Sequence, residues 1–77
     1  MKIEILGTGC MKCKRLAKNV EHAVEELGIT ADIQKVEDIT AIMDRGVMLT
    51  PAMIVDGELK IAGRVADVKE LKEILKG

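Results

Sequence analysis

The chain contains no phenylalanine, tyrosine, tryptophan or serine, and its 77 residues include one proline, one histidine and two cysteines. Without aromatic rings there is no platform on which unpaired bases stack, the usual means of holding a single strand. Without serine, a Ser-His-Asp triad has no nucleophile. A formal net charge of −1 gives no bulk attraction for nucleic acid or an anionic membrane surface. No apolar run approaches the roughly 18 residues that span a bilayer. Met1-Lys2 leads straight into a short apolar run rather than a signal-peptide core. These absences point to a cytoplasmic protein with neither a membrane nor a nucleic acid as partner.

What is present fits a small globule. Hydrophobic residues make up 48% and charged residues 32%, a balance that excludes a disordered segment. The length allows one domain, over residues 1–77. Such a chain buries only about 60–65% of its unfolded surface, so its core has to be tidy. The two cysteines are Cys10 and Cys13, in the stretch Thr8-Gly9-Cys10-Met11-Lys12-Cys13-Lys14. They stand where an apolar run (Ile3, Ile5, Leu6) gives way to a helical pattern, with Gly7 and Gly9 loosening the turn between. The first turn of a helix has free backbone N–H groups and a dipole that favours negative charge. A thiolate there is stabilised and becomes a usable nucleophile near neutral pH. Cys10 therefore reads as the attacking sulfur. Cys13, about one turn further in and more covered, reads as the resolving one. A structural role for the pair is poorly motivated. A bridge this short would limit the unfolded chain by about 2 kcal/mol before strain, and cytosolic disulfides are mostly transient and catalytic.

The rest of the chain follows in order. Lys2–Leu6 reads as a central strand. Leu16, Val20, Ala23, Val24 and Leu27 form one apolar helical stripe, with Cys13 and Ala17 at its edge and Gly28 as its stop. Ile29, Ala31 and Ile33 alternate with polar residues, predicting an edge strand that runs to Val36. Asp38 caps a short helix with Ile39, Ile42 and Met43 inward, ended by Gly46. Thr50-Pro51 breaks the chain. Ala52–Val55 and Glu58–Ile61 flank Asp56-Gly57, a type I′ hairpin signal. Asp67 and Glu70 form a capping-box-like start for a last helix, with Val68, Leu71, Ile74 and Leu75 on its apolar face. The order is β-α-β-α-β-β-α, and a helical crossover between the first two strands requires them to be parallel.

A strand followed by C-x-x-C at a helix start, near a βαβ pattern, is the thioredoxin-like redox signature. The second half, LTPAMIVDGELKIAGRVADVKELKEIL, resembles the second half of a glutaredoxin. Together with GTGCMKC, the chain resembles the small archaeal and bacterial glutaredoxin-like redox-active disulfide proteins. That resemblance implies an α/β thioredoxin-like fold of glutaredoxin type, a four-stranded mixed sheet flanked by three helices. It implies a monomeric thiol–disulfide oxidoreductase with Cys10 as nucleophile and Cys13 as resolving cysteine. It further implies a cis Pro51 facing the disulfide, a Thr50 backbone that pairs with an extended substrate, and a Gly63 that lets substrate backbone approach. The expected partners are disulfide substrate proteins and a flavin-dependent disulfide reductase or low-molecular-weight thiol. No bound cofactor is expected beyond the redox-active disulfide itself, and no metal. Met11-Lys12 departs from the family's dipeptides.

Several residues carry two readings. Lys12, Lys14 and Arg15 crowd the first helical turns, against the helix dipole. They either stabilise the Cys10 thiolate, with Lys12 the best placed, or form a solvated face. Glu4 either serves as a general base for the resolving cysteine or sits at the sheet end with at most its head wet, and we favour the second. Met11, Met48 and Met53 either rim the disulfide for a protein partner, Met11 foremost, or fill the core. His22 reads as plain surface. The rival function is a soft-metal carrier that holds Cu(I) or zinc on the C-x-x-C pair, although such domains run β-α-β-β-α-β. A redox-inactive binding module on the same fold is the third reading.

Overall fold

The computed structural model describes residues 1–76. The elements are β1 (Lys2–Leu6), α1 (Met11–Leu27), β2 (Asp32–Val36), α2 (Ile39–Asp44), β3 (Ala52–Val55), β4 (Glu58–Ala62) and α3 (Val68–Lys76). The order is the expected one. The sheet runs β2-β1-β3-β4. β1 is interior, parallel to β2 and antiparallel to β3. β3 and β4 form the antiparallel hairpin, with a register shift between Met53 and Ile54. Both turn residues of that hairpin take positive φ, Asp56 at 48° and Gly57 at 86°, as a type I′ turn requires.

Alternation along the strands sends side chains to two different layers. Ile3, Ile5, Met53, Val55 and Ile61 face Leu16, Ala17, Val20 and Ala23 of α1 and Leu71 and Leu75 of α3. Leu6, Ala52 and Ile54 face the other way, against Ile42 of α2 and Val47. α1 ends as its sequence predicts. Gly28 takes φ 66°, and the N–H of Ile29 reaches back to the Val24 carbonyl.

Three expectations need correction. β2 begins at Asp32 rather than Ile29, because the helix cap holds residue 29 and the ladder opens only where Lys2 meets Asp32. In α2 only Ile42 points inward, while Ile39 and Met43 are 61% and 68% exposed. A six-residue helix turns too few residues toward the sheet to bury all three. Of the two readings of Met53 the core one, the commoner for methionine, holds: it is fully buried under α1 and α3. The capping box at α3 forms one arm only. The Glu70 N–H donates to Asp67 Oδ1 at 2.8 Å, but the Glu70 carboxylate turns to the Arg64 guanidinium instead.

Candidate active site

β1 delivers the chain to the C-terminal edge of the sheet, and the turn into α1 needs one left-handed residue, supplied by Gly9 at φ 86°. Cys10 is then the N-cap of α1, in extended conformation at φ −70° and ψ 168°. Its carbonyl accepts the first helical bond from the Lys14 N–H at 3.0 Å. Its sulfur accepts from the Cys13 N–H at 3.4 Å, as an N-cap side chain does. The two sulfurs lie 2.8 Å apart. Cys10 is exposed, whereas Cys13 is 6% exposed and packs on the helix face that meets the sheet.

This environment splits the two thiols. Cys10 is pulled below the usual thiol range, first by hydrogen bonding from the Cys13 side chain, then by the Cys13 backbone N–H, with a smaller share from the Lys12 backbone N–H. Cys13 is pushed above that range, first by desolvation and then by its bond to the Cys10 sulfur. The arrangement favours one exposed thiolate held by a protonated, covered neighbour. The Lys12 contribution comes through its main chain, and the exposed side chain makes no ion pair among the described residues.

Thr8 of the redox turn and Thr50 line one groove with Ile39, Ile42, Met43, Gly46, Val47 and Met48. The Thr50–Pro51 bond is cis, as the resemblance implied, and Pro51 is buried. Met11 and Met48 are 77% and 93% exposed, so two of the three rim methionines are at the surface. Ile39, Met43 and Val47 were not singled out for this groove. The available signal was an excess of apolar residues in a helix too short to bury them. Gly63 takes φ 77°, and the space where its side chain would stand is filled by Leu49, whose Cβ lies 3.1 Å from that point. Glu4 lies on the α2 face of the sheet, away from α1. It is 8% exposed and accepts from Arg45 Nε at 2.9 Å and Nη2 at 2.7 Å. The preferred sequence reading of Glu4 thus gains a partner that the sequence did not announce. His22 is exposed on α1, away from the sulfurs.

The sequence model described as Thioredoxin domain matches residues 1–76. The chain belongs to this thioredoxin family. It is also 51% identical over 75 residues to a protein named thioredoxin from Methanothermobacter thermautotrophicus, covering 97% of each chain. A second relative of that name, from Methanocaldococcus jannaschii, is 46% identical over 74 residues, covering 96% of this chain and 85% of its own. Membership and geometry agree, and the protein is a thiol–disulfide oxidoreductase acting on disulfide substrates. The hairpin precedes the last helix, so the element order of the metal-carrier alternative does not occur here. No described helix is long and apolar enough to cross a membrane.

Proposed function

We propose that Cys10 attacks the substrate disulfide and Cys13 resolves the mixed disulfide. One observation carries this assignment: the sulfurs touch, yet one is exposed at a helix N-cap and the other is covered. A substrate sulfur can reach only the first. Attack forms a bond from Cys10 Sγ to one substrate sulfur and expels the other as a thiolate. Cys13 then gives up its thiol proton and its Sγ attacks Cys10 Sγ, the second substrate thiolate leaves, and each leaving sulfur takes up a proton. The substrate gains two electrons and the protein keeps a Cys10–Cys13 disulfide. The sulfurs hold both electrons, so the cycle requires no bound cofactor and no metal.

The groove between Thr8 and Thr50 supports docking of an extended substrate segment beside Pro51, with the Thr50 backbone pairing to it and Met11 bordering the entry. Gly63 joins this surface once Leu49 swings aside. Lys12 aids the thiolate mainly through its N–H, and its exposed ammonium adds a screened attraction worth no more than about 1 kcal/mol. A flavin-dependent reductase or a low-molecular-weight thiol regenerates the dithiol of a monomer working in a reducing cytoplasm.

The test uses insulin as the disulfide probe. Cys13→Ser is expected to accumulate a stable mixed disulfide through Cys10, and Cys10→Ser none. Iodoacetamide is expected to label Cys10 at lower pH than Cys13, following the directions of their shifts. Trapping through Cys13 instead, or labelling in the reverse order, overturns the assignment.

A further inference from the structure

Gly7 follows directly on β1 and is buried, and its N–H donates to the Val36 carbonyl at 2.9 Å. Its backbone does not call for glycine, since the positive φ values fall at Gly9, Gly28, Gly46, Gly57 and Gly63. The reason lies across the gap. A Cβ built on Gly7 would stand 2.2 Å from Cys13 Sγ and 2.9 Å from Cys13 Cβ. Non-bonded heavy atoms settle near 3.5–4.0 Å, so a methyl group and the sulfur exclude each other there. The wall behind Gly7 is the sheet ladder, and α1, which carries Cys13, is anchored one turn on by the buried Leu16 and Ala17. Neither backbone can yield easily.

We propose that Gly7 is a positioning residue for Cys13: its bare Cα lets the resolving sulfur lie against the strand end, within reach of Cys10. This rests on the assignment of Cys10 and Cys13 given above. Cys13 Sγ, so placed, donates to the Cys10 thiolate and stands ready for the second step. In that step the Cys13 thiol gives its proton to solvent, the Cys13 Sγ–Cys10 Sγ bond forms, the bond from Cys10 Sγ to the substrate sulfur breaks, and the electron pair leaves on the substrate thiolate, which is then protonated. A side chain at residue 7 turns the sulfur away. Space is available for it. A cavity of about 150 Å³ borders Gly7 and Cys13 and is also lined by Ile5, Ala17, Lys35 and Glu37. The displaced sulfur can enter this cavity, while the 2.9 Å approach to Cys13 Cβ is relieved only by a small shift of the start of α1, and both movements take the pair out of its geometry.

Gly7→Ala separates these effects when reduced protein meets excess aromatic disulfide, 5,5′-dithiobis(2-nitrobenzoate), in a stopped-flow instrument. Attack by Cys10 releases one coloured thiolate, and resolution by Cys13 releases the second. In Gly7→Ala the second phase is expected to slow by on the order of a hundredfold, the effect of a reacting atom misplaced by about 1 Å. The pH midpoint of the first phase is expected to rise, because Cys10 loses the first of its stabilising contacts. In a Cys13→Gly background, which removes both the sulfur and the Cβ that a side chain at residue 7 would meet, the same Gly7→Ala change is expected to alter the first phase by less than about twofold. Far-UV circular dichroism reports folding, and a Gly7→Ala protein that folds only when Cys13 is also Gly supports the proposal. An unchanged second phase, equal pH shifts in both backgrounds, or unfolding in both backgrounds overturns it. A second phase that persists in Cys13→Gly alone sinks the cysteine assignment instead.

Discussion

The two faces of the sheet are built differently. On the α1 and α3 side twelve buried residues form one continuous cluster, while on the α2 side there are five. α1 has 17 residues and α2 has six. The thick layer anchors α1, the helix that carries Cys13, through Leu16, Ala17, Val20 and Ala23. The thin layer supports the groove and leaves Ile39, Met43, Met48 and Leu49 in solvent. It is also the side with a buried carboxylate, Glu4, which the Arg45 guanidinium fastens to the end of α2. The cysteine pair and the groove therefore border opposite sides of one strand end. One side anchors the helix that carries Cys13. The other carries exposed apolar surface that a partner can cover.

This contrast can be broken in a definite order. Leu16→Ala empties the thick layer at a fully buried position, and a cost of about 3–4 kcal/mol is expected as a shift in the urea midpoint. A domain of this size has little more stability than that to lose. Ile42→Ala acts on the thin layer, where one short helix can settle into the gap, and about 2 kcal/mol is expected. Equal losses for the two variants would show that the faces are mechanically alike. Arg45→Met leaves Glu4 covered without its partner. The Arg45 side chain is 35% exposed, so the full penalty of a broken buried pair is discounted to about 1–2 kcal/mol. Changing Glu4→Leu as well is expected to recover most of that loss, because a matched apolar pair needs no desolvated charge. The smallest effect belongs to Asp38→Ala. It removes the acceptor 3.2 Å from the Thr40 N–H and should cost about 1 kcal/mol, loosening α2 without touching the sulfurs.

The features legible in advance were those decided by neighbours in sequence. The α1 stripe, the Gly28 stop, the Asp56-Gly57 turn and the C-x-x-C at a helix start all depend on contacts within a few residues. The cis bond at Pro51 came from family resemblance, since composition gives no sign of it. What the sequence did not announce turns on partners beyond the next few residues along the chain. The exposure of Ile39 and Met43 depends on how much sheet lies under α2. The Glu70 carboxylate chose Arg64 over its own cap, and Glu4 found a guanidinium 41 residues away.

The sequence by itself determined the order of elements, the parallel first pair of strands and the sulfur at the head of a helix, because periodicity, turn chemistry and capping act locally. Tertiary structure alone decided how much sheet lies under α2, what Glu4 pairs with, and why residue 7 has no side chain. Those outcomes depend on distances between segments that meet only when the sheet and its helices close upon each other.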